Sequence, residues 1–151
     1  MGIAGYASEV VFSDMKKILF LALCLFAISP LCLMAEEIAA TDSRVTFLGR
    51  AEVENGALRF DWPSTYFRLA FKGKALSMRV SDNKRNFYAV WVDMPTSAEP
   101  TRIVEVKGND TIIDLVLPSD VKKSKIKEHQ VVIQKRTEAG CGTTTVFAFI
   151  T

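Results

Sequence analysis

One histidine, three cysteines and the lack of any amphipathic helical stretch of useful length limit what this 151-residue chain can do. A serine or cysteine nucleophile needs a base in hydrogen-bond reach, commonly histidine, oriented by a third group. The single histidine, His129, stands at the start of an expected strand among charged residues, where a surface or strand-edge position accounts for it. Cys24 and Cys32 fall in an apolar leading segment; once that segment is removed Cys141 remains alone, and the fold must hold without an internal disulfide. Cys141 sits between Gly140 and Gly142 in a turn, with no neighbouring cation to lower its pKa. One histidine and one cysteine cannot furnish a tetrahedral zinc site. Asp82, Asp93, Asp110 and Asp114 are spread along the chain with no loop resembling a calcium cage. No glycine-rich loop precedes a helix, so a nucleotide phosphate cradle is absent. No metal and no other cofactor is called for. Nineteen basic residues nearly balance seventeen acidic ones. The one lysine cluster, Lys122, Lys123, Lys125 and Lys127, is flanked by Asp120 and Glu128 and reads as a solvated loop or short helix face, so no nucleic-acid partner is expected.

What is present begins with a leader. From Met15 the chain reads Met-Lys-Lys, then a largely apolar run from Ile18 to Leu33 broken by Ser29 and Pro30, then Ala35, the three parts of a secretory signal. The expected organisation is a mis-called extension at 1–14, a signal peptide at 15–35, a linker at 36–43 and one domain at 44–151. Contact with the membrane is expected only through the signal peptide during export, and the mature chain is expected to be secreted or periplasmic.

Beyond Arg44 nearly every segment alternates with period two, the mark of half-buried strands. Phe67, Leu69 and Phe71 share one face, and Leu76, Met78 and Val80 repeat the pattern after Lys72-Gly73-Lys74, so the two segments are expected to pair as a hairpin. Ser81-Asp82-Asn83-Lys84 reads as a polar turn ahead of an aromatic and β-branched strand from Phe87 to Met94. Pro95 and Pro100 bracket a loop. Arg102–Val106 and Thr111–Leu117 flank Lys107-Gly108-Asn109-Asp110, read as a hairpin turn, within which Asn109-Asp110-Thr111 also fits an N-glycosylation acceptor. Pro118-Ser119-Asp120 can cap one or two helical turns. His129–Thr137 and Thr143–Ile150 are the last strands, and Val45–Leu48 with Gly56–Phe60 the opening pair. The fold expected is all-β, a jelly-roll sandwich of about eight antiparallel strands.

The aromatics are the remaining candidates for function. Trp62 and Tyr66 lie near one strand entrance, Tyr88 and Trp91 on a neighbouring strand, and exposed rings of this kind bind sugar faces by stacking. Alternation sends Tyr88 and Trp91 to opposite sides, so one of the two is expected at the surface.

Several runs carry a family likeness. Gly49-Arg50, Phe60-Asp61-Trp62-Pro63-Ser64, Tyr66-Phe67-Arg68-Leu69-Ala70-Phe71-Lys72-Gly73, Tyr88-Ala89-Val90-Trp91-Val92-Asp93 and His129-Gln130-Val131-Val132-Ile133-Gln134-Lys135-Arg136-Thr137-Glu138-Ala139 together resemble the N-terminal jelly-roll domain of carbohydrate esterase family 2. Those proteins are secreted deacetylases of plant polysaccharides. The resemblance implies a following SGNH-type hydrolase domain that holds the catalytic serine, in a Gly-Asp-Ser block, and the catalytic histidine. This sequence contains no Gly-Asp-Ser. The expectation is therefore a non-catalytic domain from a truncated or split parent esterase, with no catalytic residue of its own. Its expected partners are the hydrolase domain and, through that domain, acetylated polysaccharide such as xylan. Arg136 and Glu138 are candidates for the contact with the hydrolase domain, against the alternative of a salt link inside the sandwich. Two other functions stay open: a stand-alone carbohydrate-binding module, and a structural β-sandwich without sugar affinity.

Overall fold

The computed structural model describes residues 35–121 and 127–151. The expected extension and all of the expected leader except Ala35 lie outside the described residues, as do Lys122, Lys123 and Lys125 of the basic cluster. The elements are β1 (Glu37–Ala39), β2 (Thr46–Leu48), β3 (Glu52–Glu54), β4 (Ala57–Phe60), β5 (Tyr66–Lys72), β6 (Leu76–Val92), β7 (Arg102–Val116), the one-turn helix α1 (Pro118–Val121), β8 (Glu128–Lys135) and β9 (Thr144–Ile150), with a 3-10 turn at Ala139–Cys141. The described chain is nearly all-β. Its strands follow one hydrogen-bonded path, β2-β5-β8-β6-β9-β4-β3, with β1 joined to β9 and β7 to β6. Every pairing is antiparallel.

The sheet curls over on itself, and four phenylalanines show where. Phe67 on β5 lies with its ring centroid 5.2 Å from Phe47 on β2, 5.7 Å from Phe60 on β4 and 5.5 Å from Phe149 on β9. Strands β5 and β4 are far apart along the path, so their side chains meet only if the two halves of the sheet face each other. Alternation supplies the rest of the interior: Leu69 and Phe71, Met78 and Val80, Val131 and Ile133, and Val146 are all buried, while Arg68 is exposed. Burying one face per strand in this way is what removes the apolar set from water.

The seventeen-residue β6 joins the two halves. Ser77–Asp82 pair with β9, Tyr88–Val92 pair with β8, and β7 follows along the other edge through irregularities between Val80 and Asn86. The stretches expected as turns, 81–84 and 107–110, are thus bulges in two continuous strands that bend together. Gly108 (φ 96°) and Asp110 (φ 48°) provide the left-handed conformations, and Asp82 is paired with Gly108. Gly, Asn and Asp serve bulges and turns for the same conformational reason, which is why their presence does not distinguish the two.

Three expected pairings are corrected. β5 does not pair with β6; it lies between β2 and β8, and the chain at 73–75 crosses to the facing half of the sheet. β2 does not pair with β4; β4 has β3 as hairpin partner through Asn55 (φ 51°) and Gly56 (φ 79°). Residues 102–116 are not a hairpin but the single strand β7. The segment expected as a linker supplies β1, whose Glu37–Ala39 pair with Ile150–Ala148 of β9.

Candidate functional site

Four side chains named from sequence as possible sugar contacts occupy different environments. Tyr88 is fully buried, and its hydroxyl bonds Thr144 Oγ1 at 2.9 Å; burial raises the phenol far above its ordinary pKa, with the Thr144 hydrogen bond opposing. Trp91 is buried as well, with Nε1 donating to the Ala98 carbonyl at 2.9 Å. The expectation that one of this pair is exposed fails for an identifiable reason. The loop between β6 and β7 folds back over the outer face of β6, tied down by the Trp91 bond and by the Val92 amide to Thr101 Oγ1 at 3.1 Å. Neither ring offers a face to a ligand. Tyr66 is half-buried, paired with Leu48 and Gln134. Trp62 is 49% exposed.

Trp62 borders the larger of two adjoining surface depressions. Close by, Gly49 crosses over Thr65. A Cβ on Gly49, whose φ is 145°, would come within 2.7 Å of Thr65 Oγ1. In the next residue, the guanidinium carbon of Arg50 lies 5.1 Å from the centroid of the Trp62 ring, a cation–π contact. The depression, about 360 Å³, is lined by Arg50, Glu52, Arg59, Asp61, Trp62 and Thr143 among others. Across the β3–β4 hairpin Arg59 donates to Glu52 at 3.1 Å. Arg59 and Thr143 also border a second depression of about 320 Å³, whose lining includes Ser81, Asn83, Asn109 and Thr145. Sequence reasoning named Trp62 but missed its polar companions. The signal was there in Glu52 and Arg59, charged residues that alternate with apolar ones on the two strands of a short hairpin.

Beneath the second depression lies a buried polar cluster. Asp82 accepts from Asn86 Nδ2 at 2.7 Å and Thr144 Oγ1 at 2.6 Å through one oxygen, and from the Lys84 amide at 3.0 Å through the other. Thr137 Oγ1 bonds Asn86 Oδ1. The Lys135 amine is buried and donates to the carbonyls of Thr137 at 2.6 Å and Glu138 at 3.2 Å. Burial holds its pKa below the ordinary 10.5, while Cys141, Asp82, Asp61 and Glu138 pull the other way. Gly142 closes the cluster: a Cβ there would meet Asn83 Oδ1 at 2.7 Å, and its φ is 123°. These groups satisfy one another and brace the corner at which β6 bends.

His129 is not a surface residue. It is buried, packed 5.4 Å from the Phe71 ring, with Nδ1 in a 2.6 Å hydrogen bond to Asp93, whose other oxygen accepts from the Gln130 amide. Asp93 stands at φ 55° just after β6, so the pair fastens the end of β6 to the start of β8. Among the described residues no serine or cysteine side chain is bonded to His129. Cys141 is half-buried in the 3-10 turn. Arg136 and Glu138 are both exposed, and among the described residues neither has an ion-pair partner, so the internal salt link considered for them does not form there.

The family model described as carbohydrate esterase 2 N-terminal matches residues 47–151. No curated protein matches the sequence. Among solved structures, a family two carbohydrate esterase from Cellvibrio japonicus superposes with TM-score 0.61 at 20% identity, over 78% of this chain and 33% of that one. An acetyl xylan esterase from the rumen bacterium Butyrivibrio proteoclasticus gives 0.59 at 12% identity, over 78% and 31%. A carbohydrate-binding module, CBM36, in complex with calcium and xylotriose gives 0.53 at 9% identity, over 77% of this chain and 98% of the module. The chain thus spans about a third of the length of the two esterases. At these identities the likeness is one of fold.

Proposed function

The chain belongs to the carbohydrate esterase 2 N-terminal family, and from that premise we propose that it is the non-catalytic jelly-roll domain of a secreted carbohydrate O-acetylesterase, active only together with an SGNH-type hydrolase domain. The observation that carries this reading is the extent of the family match, which takes in eight of the nine strands and begins inside β2. Further support comes from His129. Its Nδ1 is engaged by Asp93 and its ring is packed on Phe71, an arrangement that staples two strands and, among the described residues, sets no nucleophile beside a base. The domain's contribution is to pack against the hydrolase and form one wall of its substrate cleft, with exposed Arg136 and Glu138 as the charged contacts. Removal of a signal peptide at 15–35 on export is part of the same proposal.

The test is enzymatic. Purified chain is expected to release no acetate from an aryl acetate or from acetylated xylan above the uncatalysed rate. The expected companion result is a Gly-Asp-Ser block encoded shortly downstream of Thr151, with acetate released by the product that includes it. Turnover by the present chain alone, abolished in His129→Ala, would overturn the proposal.

A further inference from the structure

We infer that the two adjoining depressions beside Trp62 form a groove that binds a neutral polysaccharide chain, independently of any hydrolase domain. A pyranose ring has two kinds of surface, an apolar face of C–H groups and a rim of hydroxyls, and the groove presents a partner for each. Trp62 supplies a half-exposed indole already in contact with Arg50, and a ring restrained in this way loses less side-chain freedom when a sugar stacks on it. Arg59, Asp61, Thr143, Asn83 and Asn109 supply hydrogen-bond donors and acceptors along the continuation. The two depressions, about 360 and 320 Å³, are each within the range of small-ligand sites and share the wall made by Arg59 and Thr143. A chain of linked sugars fits such a run, whereas a single sugar occupies only one part of it.

Charge decides the class of polysaccharide. Arg50 and Arg59 are matched by Glu52 and Asp61 around the first depression. Asp82 reaches the second, with its oxygens committed to Asn86, Thr144 and the Lys84 amide. No net positive charge remains to select a uronic acid, so the glycan is a neutral one. Gly49 borders the same site: at its φ of 145° a Cβ would clash with Thr65 Oγ1 at 2.7 Å, so the residue before Arg50 has no room for a side chain.

Calorimetric titration of the full chain with xylohexaose, mannohexaose and cellohexaose tests this, with free xylose, mannose and glucose as controls. The expected result is saturable binding of at least one hexaose and much weaker binding of its monosaccharide. Trp62→Ala weakens that binding tenfold or more while its thermal unfolding stays that of the parent, and Ile112→Ala, an exposed apolar side chain on β7, leaves it unchanged. No binding of any of the three hexaoses, or binding unaltered in Trp62→Ala, overturns the inference. The readout is affinity, so either result leaves the esterase proposal where it stood. Acetate release by the isolated chain, in turn, would refute that proposal and leave the groove untouched.

Discussion

Phe67 and Asp82 are both sealed from water, yet the regions around them hold together by opposite rules. Phe67 and the three rings around it gain from every apolar area they hide, and the gain is spread over many weak contacts in no fixed direction. Around Asp82 each group gains only if a particular partner stands at a particular distance, and a missing partner is costly. The first region joins the two facing halves of the sheet; the second sets the bend in the strand that both halves share. A domain of this kind needs a tolerant region to make it stable and an intolerant one to make its corner unique.

Substitutions at three positions sharpen the contrast. Phe67→Ala removes the ring that touches three others and is expected to cost about 3–5 kcal/mol in denaturant unfolding, while Phe67→Leu should recover most of the loss. Recovery by a merely apolar, similar-sized side chain is the signature of a non-directional region. Asp82→Ala leaves buried donors of Asn86 and Thr144 short of an acceptor and is expected to cost about 3 kcal/mol. Here the near-isosteric Asp82→Asn should recover little, because in either orientation its NH2 group faces a donor, Asn86 Nδ2 and the Thr144 hydroxyl on one side or the Lys84 amide on the other. A full rescue by asparagine would contradict the directional account.

The smallest effect belongs to Lys135. Burying its charged amine is expensive even with two carbonyl partners, so Lys135→Met is expected to lie within about 1 kcal/mol of the parent at neutral pH. The pH dependence is the more telling measurement. The amine's pKa in the folded protein lies below the ordinary 10.5, so between those values the unfolded chain holds a proton that the folded chain has released. Stability therefore rises with pH through that window, and the rise should vanish in Lys135→Met. Tyr88 acts in the other direction. Burial raises its pKa above the ordinary 10.0, so stability falls as pH climbs past that value, in parent and variant alike. An unchanged alkaline rise in Lys135→Met would show that another group carries it.

The same contrast explains what could be read from the residues alone. Phe67, Leu69, Phe71, Leu76, Met78 and Val80 were legible because alternation depends on the local chain and on which face meets water. Partner choice was not legible: Lys72-Gly73-Lys74 permits a hairpin, but the chain crosses to the facing half instead, a decision made by strands sixty residues away. The burial of Trp91 depends on a loop folding over it, and that of His129 on Asp93, thirty-six residues earlier in sequence. Of the site, Trp62 could be named because an indole is conspicuous in any sequence. Arg50, Glu52, Arg59 and Asp61 became its companions only through the β3–β4 hairpin and the Gly49 crossing.

The shared strand β6 has a last consequence, for the way the domain comes apart and together. Half of its ladder belongs to each face, so loss of one face is expected to release the other, and unfolding is expected to be all-or-none. Its neighbour β9 is flanked by β1 and β4, strands from the start of the described chain. The polypeptide cannot complete this ladder until residues 144–150 exist and have returned to residues 37–39 and 58–60, a long loop closure that slows folding. While it is being synthesised, the domain must wait for its own final strand.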